Sequence, residues 1–232
     1  MEWKILDTGS ASAEENMAAD AALLNQAGDC QRPILHFYDW ETMSATYGYF
    51  SKPEKLLDLD AVSDDGIQLA RRPTGGGVLF HFTDLAFSII IPRGHPFYST
   101  NTMQNYKVIN TRVENAVAQL LGSKPLLLER DVSSSAAAGH FCMGKPTKYD
   151  VMITDKKVAG AAQRRTKDGL LHQGTIHLAL PDFEELSKFI REPSVLDAMR
   201  TNSAGLVEQT ELPDARKEMK SLLVQQFTGV GP

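Results

Sequence analysis

Arg71-Arg72-Pro73-Thr74-Gly75-Gly76-Gly77-Val78-Leu79-Phe80-His81 runs two arginines into three glycines and then into an apolar segment ending in histidine. Three glycines strip every Cβ from a short piece of backbone. That opens φ > 0 and lets a ligand lie directly against the peptide N–H groups. The arginines add fixed positive charge and several donors beside the bare main chain. Such a stretch suits an anionic or carbonyl-bearing group. Glycines alone would equally fit a hairpin turn with solvated arginines. The arginine pair and the strand-like flanks favour ligand binding.

Outward from it, residues 67–71 and 78–82 read as strands on either side of the glycine run, and 85–91 as a buried strand stopped by Pro92. Residues 3–8 read as an opening strand, and 34–38 and 44–50 as two aromatic-rich strands. Residues 13–26 have helical spacing, with Met17, Ala18, Ala22, Leu23 and Leu24 on or near one face. The recurrence of Val108, Ile109, Val113, Val117, Leu120 and Leu121 predicts a helix over 104–121, with Gly122 as its C-cap. Residues 56–66, 182–190 and 212–227 read as further helices, the last with Pro213 in its first turn. Residues 125–128, 149–154, 157–164 and 169–180 read as strands, and 133–139, small and polar, as a flexible loop. Strands outnumber helices and hairpins are frequent, which implies an α+β fold. No internal repeat or linker marks a second full domain. The expectation is one catalytic-sized domain over 1–232, with its core at about 3–190 and a helical extension over 191–232.

The 232 residues are 42% hydrophobic, enough to bury a sizeable core. No run of about eighteen apolar residues occurs, so no membrane span is expected. Residues 1–7 lack the apolar region of a signal peptide, and the cytoplasm is the expected location. Cys30 and Cys142 are too few for a disulfide framework, and Cys30 sits in a Gly-Asp-Cys turn with no base nearby. A net charge of −5 argues against general nucleic-acid binding. Positive charge still crowds one segment: Lys145, Lys148, Lys156, Lys157, Arg164, Arg165 and Lys167. With Arg71 and Arg72 these could form a basic mouth on an acidic body, suited to a phosphate or an acidic carrier protein. For any single lysine among them a solvated surface position is the plainer reading.

The arginine–glycine stretch resembles the Arg-Arg-x-Ser/Thr-Gly-Gly signature of the lipoate–protein ligase and octanoyltransferase superfamily. Two further blocks agree in order and rough spacing. Lys157-Val158-Ala159-Gly160-Ala161-Ala162-Gln163 is similar to that family's Lys-hydrophobic-small-Gly-Ser/Ala-Ala segment, and His172-Gln173-Gly174-Thr175-Ile176 to its His-Gly-Ser/Thr-hydrophobic block. Glu15-Asn16-Met17-Ala18-Ala19-Asp20 and Tyr47-Gly48-Tyr49-Phe50 also fit, so the likeness runs over about residues 3–190. It implies a mixed, largely antiparallel sheet flanked by helices, the class II synthetase-like catalytic domain of biotin and lipoate ligases. It also implies an enzyme that attaches an octanoyl or lipoyl group to one lysine of a lipoyl carrier domain. On that reading Arg72, Thr74, Gly75, Gly76, Gly77 and His81 bind the acyl head, as do Gly160, Ala161, Gly174 and Thr175. Lys157 would reach the acyl carbonyl or an acyl-phosphate oxygen. Phe82 stands where relatives often carry aspartate, so the resemblance supplies no carboxylate beside His81.

Two sub-classes differ in chemistry. Cys142-Met143-Gly144-Lys145-Pro146-Thr147-Lys148-Tyr149-Asp150 resembles the loop of a cysteine-type octanoyltransferase, in which a nucleophilic cysteine precedes a Pro-Ser/Thr-x-Tyr-Glu/Asp stretch. The resemblance thus makes Cys142 and Lys157 the catalytic pair, with octanoyl arriving from acyl carrier protein as a thioester. Thioester exchange is near neutral in energy and the thiolate is the strong nucleophile. No tightly bound cofactor is implied. The alternative is an ATP-dependent lipoate–protein ligase acting through lipoyl-adenylate, which needs ATP, Mg2+ and lipoate. Gly77 favours it, since a third glycine is typical of ligases and leaves room for a nucleotide phosphate. His172-Gln173 reverses the order common in the transferases, so His172 receives no catalytic role. A non-catalytic relative that only binds a lipoyl group or a carrier is the remote alternative. The partners implied are lipoyl domains of 2-oxoacid dehydrogenases or the glycine-cleavage carrier protein, with no nucleic acid and no membrane. A monomer is expected.

Overall fold

The computed structural model describes residues 2–130 and 136–229, so the loop expected at 133–139 lies partly outside the described residues. The first half of the chain forms β1 (Lys4–Ala11), α1 (Ala13–Asn25), β2 (Ile34–Trp40), β3 (Ser44–Tyr47), α2 (Leu59–Asp64), β4 (Gln68–Arg71), β5 (Leu79–His81) and β6 (Asp84–Pro92). The second half forms α3 (Thr102–Leu121), β7 (Leu126–Leu127), β8 (Val151–Ile153), β9 (Lys156–Arg165), β10 (Gly169–His177), α4 (Phe183–Ser187), α5 (Pro193–Asn202) and α6 (Leu212–Thr228). A seven-stranded sheet runs β1-β2-β6-β10-β9-β8-β7, with only β1 and β2 parallel. A second sheet runs β4-β3-β5. This is the mixed α+β architecture expected.

The strands flanking the glycine run do not form a hairpin. β4 pairs parallel to β3 and β5 antiparallel to β3, so β3 separates them. The glycines therefore cross over the end of β3 instead of turning between neighbours.

Period-2 alternation on β6 explains the two-sided packing. Leu85, Phe87, Ile89 and Ile91 face the main core with Ile109, Val113 and Val117 of α3. Ala86 and Ile90, on the other face, join smaller clusters beneath α1. Met219, Leu223 and Phe227 of α6 are buried in the same main core, so this helix covers the outer face of α3 and the sheet. A second cluster joins the small sheet to α4, α5 and the loop around Cys142, through Phe80, Phe141, Met143, Phe189 and Met199.

Helix α1 starts on a capping box: Glu15 N–H donates to Ser12 Oγ and Ser12 N–H to Glu15 Oε2. Its buried face differs from the one expected. Ala13, Asn16, Met17, Asp20 and Leu24 point inward, while Ala18 and Ala22 are exposed. Two polar residues replace the two alanines because partners await them inside. Asn16 donates to Asp39 O, and Asp20 receives Gln173 Nε2 at 2.7 Å, with His36 Nδ1 2.9 Å away. Helices α2 and α4 are shorter than the residues 56–66 and 182–190 expected, capped by Asp58 and Asp182.

Candidate active site

Two loops and one strand meet at the site, and each close approach depends on a missing Cβ. Gly76 takes φ +92°, and a Cβ at Gly48 would lie 1.9 Å from the Gly76 carbonyl oxygen. A Cβ at Gly77 would lie 2.0 Å from His140 O. That contact brings the cysteine loop down onto the glycine run: Val78 N–H donates to His140 O at 2.7 Å and Cys142 N–H to Val78 O at 2.9 Å. The missing Cβ of Gly77 thus makes room for the main chain of the cysteine loop. His140 itself is exposed and meets the site through its backbone.

Lys157 is the second residue of β9 and is 3% exposed. Its Nζ lies 2.9 Å from Asp150 Oδ2, 3.1 Å from Cys142 O and 3.4 Å from Cys142 Sγ. Gly160 makes this possible, because a Cβ there would stand 2.4 Å from Lys157 Cε and 2.5 Å from Nζ. Burial alone would push the amine down, but Asp150 and Cys142 outweigh it and hold Lys157 above the ordinary lysine value. Asp150 is itself fastened by Thr147, whose N–H and Oγ1 both donate to Oδ2. The preceding Tyr149 is held at φ +70°, its carbonyl accepting from Asn110 of α3.

The cysteine loop is also pinned from the C-terminal side. Asn202 Nδ2 donates to Gly144 O and Ser203 Oγ to Met143 O, both at 2.8 Å, and Ala204 N–H donates to Lys157 O. Nothing in the local sequence of Asn202 and Ser203 signals this task.

A cavity of about 140 Å3 runs inward from the pair. Cys142, Lys157, Arg72, Gly76, Gly77 and His81 line it, as do Gly160, Ala161, Gly174 and Thr175. Thr74 and Gly75 do not. Thr74 Oγ1 turns inward to Gln173 Oε1 at 2.6 Å, and Gly75 gives its carbonyl to Arg72. Met17, Tyr38, Leu79 and Ala86 also line the cavity. Gly174 is flat against Phe87, where a Cβ would come within 2.3 Å of the ring.

The polar groups around this cavity are largely turned into the wall. Arg72 is buried, with Nη1 donating to Thr46 O and Oγ1 and Nη2 to the Gly75 and Gly77 carbonyls. Burial holds its guanidinium below the ordinary value. Arg72 therefore braces the glycine run with the donors that the sequence reading aimed at a ligand. His81 stacks on Trp40 at 4.1 Å, with Nε2 2.8 Å from Thr46 Oγ1 and Nδ1 2.9 Å from Asp84 Oδ2. The carboxylate that Phe82 does not supply thus comes from Asp84. Burial raises its value, but His81 and a hydrogen bond from Thr175 overcome this and hold it low. His172 faces away, against Tyr106 and Phe87, and burial pushes it down to about 3.

Of the basic residues, Lys145 lines the cavity, Lys156 reaches Arg200 O, and Arg165 reaches Thr100 O. The positive charge is therefore spread over several faces, with Arg71 and Arg164 together beside Tyr49. Cys30 lines a separate surface hollow with Arg93 and Lys167. Among the described residues no cluster of histidine, cysteine and carboxylates fit to hold a metal occurs, and no helix is long and apolar enough to cross a membrane.

Residues 12–227 match the lipoyl protein ligase A/B catalytic domain family. The chain belongs to that family. Octanoyltransferase LipM of Lysinibacillus sphaericus is 32% identical over 192 residues, covering 81% of this chain and 70% of the relative. The enzyme of the same name from Macrococcus caseolyticus is 34% identical over 190 residues, covering 80% and 68%. Among solved structures, a lipoate-protein ligase A bound with ATP superposes with a TM-score of 0.77 at 27% identity, over 99% of this chain and 85% of that one. Protein Ta0514 of Thermoplasma acidophilum with bound lipoic acid gives 0.75 at 25% identity, over 98% and 86%.

Proposed function

We propose that this chain is an octanoyltransferase of protein lipoylation that carries the acyl group on Cys142. The observation that carries the reading is the Lys157 ammonium held by Asp150 at 2.9 Å and aimed at Cys142 Sγ at 3.4 Å, at the head of the cavity. The donor is octanoyl acyl carrier protein. Its thioester carbonyl is attacked by the Cys142 thiolate, a new carbon–sulfur bond forms, and the carrier thiol leaves with a proton. In the second half the ε-amine of a lipoyl-domain lysine attacks the Cys142 thioester, the amide forms, and the proton lost by the amine returns with the departing sulfur. Lys157 stands beside sulfur whenever it carries negative charge, and a fixed cation in a desolvated site is worth most there. The octanoyl chain lies in the cavity against Leu79, Ala86, Met17 and Tyr38.

The whole of 1–232 acts as one catalytic unit, since the pins on Gly144 and Met143 and the hydrogen bond to Lys157 O come from residues 202–204. Lipoyl domains of 2-oxoacid dehydrogenases or the glycine-cleavage carrier protein are the acceptors, in the cytoplasm, with no tightly bound cofactor. A second reading, ATP-dependent lipoate ligation with ATP and Mg2+, is favoured by the 0.77 TM-score to the ATP-bound ligase. Incubation with octanoyl carrier protein, followed by intact mass, separates the two. One octanoyl group on the wild type and none on Cys142→Ser supports transfer. Full activity of Cys142→Ser together with a requirement for ATP rejects it.

A further inference from the structure

An open groove adjoins the acyl cavity, with Met17 and Arg72 lining both. Ala18, Ala21, Tyr47 and Leu69 line it, together with Arg71, Arg164 and Glu14. The two guanidiniums flank one aromatic ring: Arg71 Cζ lies 4.7 Å and Arg164 Cζ 5.2 Å from the centroid of Tyr49. Arg164 also donates to Pro73 O at 3.2 Å, which fixes it to the glycine run. Among the described residues neither arginine forms an ion pair with a carboxylate. In a chain of net charge −5, two cations are thus held together by one tyrosine, and Glu14, the carboxylate that lines the same groove, is ion-paired with neither of them. A planar fork of donors of this kind matches phosphate.

Strand β9 sets the distance of this pair from the reacting sulfur. Gly160, Ala162 and Arg164 share one face of the strand by its two-residue period. Lys157 Nζ lies over Gly160, and Ala162 meets the glycine run at Gly76. Four residues of extended strand separate Gly160 from Arg164, on the order of 13 Å. A phosphopantetheine arm has thirteen bonds from its sulfur to its phosphorus, which at the extended reach of a chain is about 15 Å.

We propose that Arg71 and Arg164, braced on Tyr49, bind the phosphodiester of the phosphopantetheine arm that presents the octanoyl thioester to Cys142. The proposal rests on the acyl-carrier donor of the transferase reading. With the phosphate on the arginine pair, the arm runs over the glycine run and its thioester arrives at the head of the cavity. Nucleotide phosphates share the chemistry, so the test must tell the two sources apart.

Acylation of Cys142 is measured by intact mass with octanoyl-phosphopantetheine and with octanoyl-pantetheine, for the wild type and for the double variant Arg71→Gln, Arg164→Gln. Titration calorimetry with 4′-phosphopantetheine and with ATP is run on the same proteins, and a thermal midpoint checks folding. The expected result is about a tenfold preference for the phosphorylated donor in the wild type. The double variant should lose that preference while its rate with octanoyl-pantetheine is unchanged. A retained preference, or an equal loss with both donors, overturns the proposal. So does ATP binding that depends on the two arginines without any binding of 4′-phosphopantetheine. If neither donor acylates Cys142, the transferase reading fails by itself. The arginine site is then decided by calorimetry: it stands if the double variant loses 4′-phosphopantetheine binding, and falls if it does not.

Discussion

Asp150→Asn keeps the shape of the side chain and removes its charge. Lys157 Nζ, 2.9 Å from Oδ2, then has no anionic carboxylate, and it is 3% exposed. Breaking a buried pair by removing one partner costs about 3–5 kcal/mol. For a domain of this size that lowers the thermal midpoint by roughly 10 °C. The pH dependence is the sharper readout. In the wild type Asp150 and Cys142 outweigh burial and hold Lys157 above the ordinary lysine value. Folded and unfolded chains are then both protonated there across about pH 6 to 9, and the group adds no slope. Its stabilisation is lost only at strongly alkaline pH, as pH rises through the raised folded value. In Asp150→Asn, burial, the largest of these influences, is opposed by Cys142 alone, and the amine is expected to fall. The unfolded chain then binds a proton that the folded chain does not, so stability climbs with pH by up to about 1.4 kcal/mol per unit below the ordinary lysine value. Octanoylation of Cys142 falls by about 100-fold, because the charge beside the sulfur is gone. Urea melts from pH 6 to 9 and single-turnover acylation are the assays. A flat stability profile together with an acylation rate within about threefold of wild type would refute the reasoning.

Gly160→Ala should leave the fold intact and slow acylation about 100-fold, since the new Cβ, 2.4 Å from Lys157 Cε, displaces the amine by the order of 1 Å; kcat should fall with KM little changed. Ala86→Leu puts three more carbons into the cavity wall, and octanoyl loading of Cys142 should drop about tenfold while butanoyl loading is retained, as read by mass across a chain-length series.

Much of the architecture is legible in the chain. The apolar run of 85–91, stopped by Pro92, and the 3.6 period of 104–121 are each legible from the chain alone, and the structure places them as β6 and α3. The inward face of α1 is not legible. Asn16 and Asp20 belong to a block that fits the family, but helical spacing alone does not turn them inward; Asp39 O, His36 and Gln173 satisfy them from distant strands. The same holds at the site. Cys142, Lys157 and Gly160 belong to recognisable blocks, and the structure brings them together. Asp84 was hidden because its partner His81 lies three residues upstream across the turn into β6, a separation that no motif spacing marks. Thr74 belongs to the motif and yet turns its hydroxyl to Gln173 of β10, a partner ninety-nine positions away that no local spacing marks.

Because Asn202 and Ser203 clamp the loop that bears Cys142, and Ala204 closes onto the strand of Lys157, the thiol is housed by residues sixty positions later in the chain. A polypeptide emerging from the ribosome therefore has its cysteine long before it has the residues that hold the cysteine's loop. On the transferase reading, a chain cut before residue 202 would keep its thiol and lose the three hydrogen bonds that set this loop and Lys157 in place.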